Sequence, residues 1–123
     1  MRIVNPIGKK GEDIAVVFLK KKGWRILERN FRKQYGEIDI IAIDKSEKEP
    51  ILVFVEVKTR TSNLYGTPLE AITHWKIKPL EKTMQLYIAE HPGLPEALRM
   101  DAIAVTLDKD MQVVAIEHIE NIS

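Results

Sequence analysis

The absence of cysteine is the first constraint on this protein, because it excludes disulfides, thiolate metal sites, iron–sulfur clusters and thiol nucleophiles together. The three histidines, His74, His91 and His118, are too few and too far apart for a recognisable histidine metal site. No apolar run approaches the roughly 20 residues that a membrane-spanning helix needs, and the N-terminus lacks the apolar segment of a signal peptide. We therefore expect a cytoplasmic protein that does not enter a membrane.

The composition that remains is typical of a globular protein. The chain has 123 residues, of which 45% are hydrophobic and 30% are charged. A chain of this length is expected to form one domain, covering residues 1–123, with a modest core.

The charges are unevenly distributed, although the net charge is only +1. Residues 1–36 contain ten basic and three acidic side chains, whereas residues 83–123 contain two basic and seven acidic ones. Local potential steers charged partners, so one basic face is expected to attract a polyanion. The alternative is that these side chains form an ordinary solvated surface.

Hydrophobic periodicity predicts two helices and five strands in the order α-β-β-β-α-β-β. In chain order these elements cover residues 11–22, 24–34, 38–43, 51–58, 73–90, 100–107 and 111–119. The order favours an α/β or α+β fold with a mixed central sheet flanked by helices. Residues 59–68 are expected to form a loop, and Pro79 is expected to kink the second helix or delay its start.

The ends of the two helices have recognisable signals. Glu12 and Asp13 are expected in the first turn of the first helix, where the helix dipole favours acidic side chains. Gly23 fits the left-handed residue that ends this helix, and Thr73 fits the N-cap of the second helix.

The third predicted strand combines a buried segment with charged residues. Residues 51–55 are continuously apolar, which is typical of a strand buried on both faces, and Glu56 and Lys58 follow on one face. Asp39 lies within an isoleucine-rich run of the preceding strand. A buried carboxylate is costly unless it is paired or bound to a metal ion. These acids are therefore candidates for a metal site.

The hairpin register predicts that the two acids face each other. Paired residues in an antiparallel hairpin have a constant sum, and the midpoint between Asp39 and Glu56 is 47.5, close to the centre of the polar loop at 44–50. Their Cβ atoms would lie roughly 5 Å apart if directly paired. A bridging Mg²⁺ or Mn²⁺ would relieve the repulsion, and Lys58 would stand beside it. The alternative is an exposed Glu–Lys pair without chemistry.

Several motifs carry a family resemblance. Gly36-Glu-Ile-Asp39 followed by Glu56-Val-Lys-Thr-Arg60 resembles the D…E-x-K signature of restriction-endonuclease-like nucleases. The chain resembles more closely the small bacterial YraN-like family, which is similar to archaeal Holliday junction resolvases. Further matching motifs are Gly8-x-x-Gly11-Glu12, Asn30-Phe-Arg32, Thr73-x-x-Lys76, Arg99-Met-Asp101 and His118-Ile-Glu-Asn121. The resemblance implies a single nuclease-like domain with a restriction-endonuclease-like core.

The resemblance also implies roles for individual residues. Asp39 and Glu56 would be catalytic metal ligands for Mg²⁺ or Mn²⁺, and Lys58 the catalytic lysine. Glu12 matches the first-helix glutamate that completes the metal site in related resolvases. A favourable interaction with the helix dipole explains a glutamate at this position equally well. Glu37, two residues before Asp39, is interpreted as an outer ligand on the same strand face.

Basic and acidic residues outside this set have simpler interpretations. Four basic residues flank the candidate site and are candidates for binding phosphate, namely Arg29, Arg32, Lys33 and Arg60. Individually, each is also explained as a solvated surface residue. Asp101 is interpreted as a buried acid paired with Arg99 or with an arginine of the first strand.

Three functions follow from these residues. The leading hypothesis is a metal-dependent nuclease acting on branched or damaged DNA, and cleavage of two junction strands would require a symmetric homodimer. The second is a nucleic-acid-binding module that keeps the fold without cleavage. The third is an adaptor protein in which Arg29 or Arg32 forms salt bridges with the acids.

Overall fold

The protein folds as a five-stranded mixed sheet between two helices. The computed structural model describes residues 6–61 and 74–122, and for residues 74–79 it describes the backbone alone. The elements, in chain order, are α1 (Pro6–Lys21), β1 (Arg25–Lys33), β2 (Gly36–Asp44), β3 (Ile51–Arg60), α2 (His74–Glu90), β4 (Leu98–Leu107) and β5 (Val113–Ile119). The predicted element order and the restriction-endonuclease-like α/β core are therefore confirmed.

The strands lie in the sheet in their sequence order. The hairpin pairs β1–β2, β2–β3 and β4–β5 are antiparallel, whereas β3 and β4 are parallel. A parallel neighbour requires a crossover connection, and α2 lies in the segment between β3 and β4. This arrangement buries β3 in the centre of the sheet.

Each helix covers one face of the sheet. On one face, α1 packs Ala15, Val16 and Leu19 against the inward-facing residues of β2, β3 and β4. On the other face, Tyr87 of α2 packs against a cluster that includes Phe54. Residues 52–55 of β3 are buried and contribute alternately to the two clusters, as predicted for a strand covered on both sides.

The first helix begins five residues earlier than predicted. Gly8 and Gly11 have low helix propensity and obscured the start, whereas Pro6 is well suited to a first helical position. Glu12 and Asp13 consequently lie beyond the first turn, so their predicted placement there is wrong. The predicted helix end is correct, and Gly23 has the left-handed φ of 87°.

The second helix runs through Pro79 from a start at His74, so the proline does not delay it. The predicted N-cap at Thr73 and most of the predicted loop, from residue 62 onward, lie outside the described residues. Within residues 6–61 and 74–122, no helix has the length and apolar character needed to cross a membrane.

A buried charged network joins the end of β2 to β4 and β5. Arg99 Nη2 lies 2.9 Å from Asp44 Oδ2, and Arg99 Nε lies 2.8 Å from Asp101 Oδ1. His118 Nε2 lies 2.8 Å from the other oxygen of Asp101. The predicted pairing of Asp101 with Arg99 is therefore confirmed.

The network depends on pH through Asp101. Burial raises the pKa of its carboxyl group, but hydrogen bonds from His118, Arg99 and the Asn121 N–H outweigh burial and hold the pKa below its ordinary value of 3.8. The ionised Asp101 carboxylate therefore stabilises the folded state fully at pH values above its ordinary pKa of 3.8. This stabilisation is lost as the pH falls through the lowered pKa of the folded state.

We predict that Arg99→Met lowers the free energy of unfolding by about 3–5 kcal/mol at pH 7, because it leaves Asp44 and Asp101 buried without their cation. Urea unfolding measures the change. Arg25→Met, at an exposed position, is the matched control and should change stability by less than about 0.5 kcal/mol. Equal effects of the two substitutions would contradict a stabilising network.

Candidate metal centre

The candidate site lies where the β2–β3 ladder ends. The pairing runs from Asp44–Ile51 to Ile40–Val55, so the next positions along the two strands are Asp39 and Glu56. This is the register predicted from the loop centre. The two acids thus lie at the same level of the sheet, on neighbouring strands.

Beyond the last backbone pair of the β2–β3 ladder, the side chain of Asp39 accepts a hydrogen bond from the backbone of β3. The Val57 N–H donates a hydrogen bond to Asp39 Oδ2, with an N–O distance of 2.8 Å. The carboxylate is therefore held against the backbone of β3, beside the residue that follows Glu56. The role of the Val57 N–H was not predicted from the sequence, because no pattern of side chains indicates which backbone N–H donates to a carboxylate.

The side-chain alternation of β2 is interrupted at Asp39. Ile40 packs in the α1-side core and Ile38 in the α2-side core, although two residues of a regular strand would share a face. The β1 residue opposite Asp39 is Asn30, which has a left-handed φ of 54°. The predicted shared face of Glu37 and Asp39 therefore fails as a geometric argument, because the strand is irregular at this point.

Four carboxylates nevertheless surround this point. Burial raises the pKa of Asp39 well above its ordinary value of 3.8, and the negative charge of Glu56 raises it further. The Val57 N–H opposes this shift, while the charges of Glu12 and Glu37 add to it. The site thus concentrates negative charge that a proton or a cation would offset.

The position of Glu12 favours a role in this site. It lies in the second turn of α1 and is half-buried, so the first-turn interaction with the helix dipole no longer accounts for it. The negative charge of Glu12, on α1, raises the pKa of Asp39, on β2. Glu12 is thus an electrostatic neighbour of Asp39, and the ligand role that the resemblance implies for it stays a prediction.

Glu56 and Lys58 project from β3 on the side covered by α2. Both are half-buried, and they follow Leu52 and Phe54 on the same face of the strand. The adjacent positions of β4 are Ala102 and Ala104. These small neighbours leave the two charged side chains room beside the sheet.

The candidate phosphate-binding residues differ in their surroundings. Arg29 Nη2 lies 2.6 Å from Asp13 Oδ1, and Lys33 Nζ lies 3.1 Å from Glu90 Oε1. Arg29 therefore pairs with Asp13 of α1, which leaves Arg32 as the arginine that the adaptor hypothesis would pair with the strand acids.

The other two phosphate-binding candidates are Arg32 and Arg60. Arg32 is exposed, and Arg60 is half-buried. Its Nε is buried with no hydrogen-bond partner among the described residues. The four basic side chains are thus not equally available to a phosphate group.

A second group of potential ligands lies in the charged network around Arg99. Ligand atoms of Asp101, His118 and Glu120 come within 4.8 Å of one another. Asp101 Oδ1 already accepts from Arg99 and the Asn121 N–H, and its Oδ2 accepts from Arg99 and His118. With a guanidinium in its centre, this group is explained as a hydrogen-bonded network.

The donor set around Asp39 fits a hard divalent cation. Carboxylate oxygens are the ligands that Mg²⁺ and Mn²⁺ prefer, and Asp39, Glu56 and Glu12 offer them from three different elements. The excess negative charge at Asp39 agrees with such a use.

Comparisons with known proteins identify a family. The protein-family model described as "Uncharacterised protein family UPF0102" matches residues 11–105 of this chain. The chain is 44% identical to a UPF0102 protein of Geobacter metallireducens, over 94% of this chain and 89% of the relative. It is 47% identical to a UPF0102 protein of Chloroherpeton thalassium, over 83% and 76% of the two chains. A Persephonella marina UPF0102 protein is 45% identical over 80% and 81%.

We predict that Asp39→Asn raises the free energy of unfolding of the metal-free protein at pH 8. The folded state holds the Asp39 pKa above its unfolded value, so ionisation opposes folding as the pH rises, whereas asparagine keeps an acceptor for the Val57 N–H. Urea unfolding in the presence of a chelator, between pH 4 and pH 8, measures this.

The gain should shrink as the pH falls toward 4, where the unfolded carboxyl group also becomes protonated. Asp110→Asn, at an exposed turn, is the control and should show no such trend. A loss of stability in Asp39→Asn at pH 8 would contradict the repulsion described here.

Proposed function

We propose that this chain, which belongs to the uncharacterised protein family UPF0102, is a metal-dependent nuclease that hydrolyses phosphodiester bonds in nucleic acid. Family membership confirms the YraN-like assignment made from the sequence. The observation that carries the proposal is the placement of Asp39 and Glu56 side by side at the end of the β2–β3 ladder, where the negative charges of Glu56 and Glu12 both act on Asp39. A protein without a ligand for these acids would gain stability by losing them.

The residues have distinct roles in this proposal. Asp39, Glu56 and Glu12 would hold one Mg²⁺ or Mn²⁺, and such an ion would lower the pKa of a bound water and offset charge on a phosphate. Glu37 adds negative charge from the edge of the site. Lys58, two residues beyond Glu56 on the same strand face, donates to the phosphate oxygens where negative charge develops.

The charge distribution supports a nucleic acid as the substrate class. Arg32 is exposed on β1 and Arg60 ends β3, so both are available at the end of the sheet that holds Asp39 and Glu56. Arg29 and Lys33 would first have to exchange Asp13 and Glu90 for phosphate. Branched or damaged DNA is the proposed substrate, cut by a homodimer because a junction presents two equivalent strands.

We predict that isothermal titration calorimetry detects Mn²⁺ binding to the wild-type protein, and that Asp39→Asn and Glu56→Gln abolish it. Each substitution removes a charged oxygen ligand while conserving the side-chain shape. Glu47→Gln, in the exposed β2–β3 hairpin loop, is the matched control and should bind like the wild type. Equal affinity in all four proteins would end the metal hypothesis.

We predict that Lys58→Ala lowers the rate of DNA cleavage by about 10²–10³, with little effect on Mn²⁺ or DNA binding. Lysine contributes most in the transition state, where charge on the phosphate is greatest. The assay incubates four-way junctions, flaps, single strands and duplexes with Mg²⁺ or Mn²⁺. Lys48→Ala, in the exposed hairpin loop, controls for loss of a lysine charge.

Binding is measured on the same DNA panel at several salt concentrations. Affinity should fall steeply with salt, because Lys and Arg displace phosphate counterions. If the wild-type protein binds several substrates and cuts none with metal present, a binding module without catalysis replaces the nuclease. If it binds none near physiological ionic strength, the adaptor hypothesis is favoured.

A further inference from the structure

Gly11 makes the closest approach of α1 to the sheet. The residue is buried, and a Cβ built at this position would overlap the Thr59 hydroxyl. The same Cβ would lie 2.8 Å from Thr59 Cβ and 2.9 Å from Thr59 Cγ2, distances that real side chains do not tolerate. Since the obstacle includes the Cβ of a strand residue, rotation of the Thr59 side chain alone cannot relieve it. Any larger residue at position 11 therefore moves the helix or the strand.

This contact lies next to the candidate metal centre. Thr59 follows Val57 on the same face of β3, and the Val57 N–H binds Asp39. On the helix side, the residue after Gly11 is the half-buried Glu12. The contact of Gly11 with Thr59 therefore sets the distance between α1, which carries Glu12, and β3, whose Val57 N–H donates to Asp39.

A glycine inside a helix lowers stability, and at position 11 the close approach of α1 to the sheet explains its use. Glycine is the least favourable residue in a helix interior after proline, because it loses the most backbone entropy on folding. Elsewhere α1 packs on the sheet through ordinary side chains such as Ala15, Val16 and Leu19. The departure from this pattern is confined to the turn that carries Glu12.

We propose that Gly11 is a positioning residue of the metal centre, whose missing side chain lets α1 rest on Thr59 and so sets how closely the Glu12 carboxylate approaches Asp39. The proposal rests on the proposed metal-dependent function. It accounts for the Gly11-Glu12 pair in the first-helix motif as one unit, in which the glycine sets the depth of the helix and the glutamate supplies the ligand.

The test compares Mn²⁺ affinity and stability in the same set of variants. Gly11→Ala should weaken Mn²⁺ binding by about 10–100-fold, the range seen when a group that orients a metal ligand is lost. Glu12→Gln should weaken it to a similar extent. Val16→Ala removes buried side-chain volume from the same helix without pushing it outward, so it should lower stability and leave Mn²⁺ affinity unchanged.

A size exchange separates helix position from general damage. In Gly11→Ala/Thr59→Gly the obstructing atoms are gone, so the helix can return and Mn²⁺ affinity should recover most of the loss. If Gly11→Ala alone does not fold, this double variant decides the question, since it must fold and bind Mn²⁺. A folded double variant with the affinity of Glu12→Gln would overturn the proposal.

The possible failures are distinguishable. Wild-type protein that binds no Mn²⁺ would overturn the proposed function and the role of Gly11 with it. Wild-type protein that binds Mn²⁺, together with a folded Gly11→Ala variant of unchanged affinity, would overturn the positioning role alone. A Gly11→Ala variant with lower stability and unchanged affinity would show that the glycine serves only helix packing.

Discussion

The hydrogen bond from the Val57 N–H to Asp39 is the interaction on which the candidate site depends. It forms where the β2–β3 ladder stops, and it holds an acidic side chain against a strand that both helices bury. The bond favours the ionised carboxylate, but burial and neighbouring negative charges outweigh it. The fold thus holds an acid in place without pairing it with a basic side chain among its electrostatic neighbours, so a proton or a cation would offset its charge.

Two groups of acids in the sheet are treated in opposite ways. Asp44 and Asp101 share the Arg99 guanidinium, and the pKa values of both acids are lowered. Asp39 has acids for electrostatic neighbours, and its pKa is raised. The first arrangement stabilises the folded state, whereas the second costs stability and is typical of a functional site.

Much of the framework was predictable because it depends on local patterns. The apolar run of β3, the polar hairpin loop and the isoleucines of β2 together predicted the β2–β3 hairpin and the register of Asp39 and Glu56. The start of α1 was not predictable in the same way, because Gly8 and Gly11 oppose helix formation locally. Contact with Thr59 explains why a glycine is nevertheless used at position 11.

The sequence by itself determined which residue types are present and which strand positions they occupy, since register and alternation follow from short-range periodicity. Only the tertiary structure decided that Arg29 pairs with Asp13, that Arg99 joins Asp44 to Asp101, and that α1 brings Glu12 to Asp39. Most of these contacts join different elements. Their geometry depends on how closely the elements approach one another, a distance set by packing and not by any pattern along the sequence.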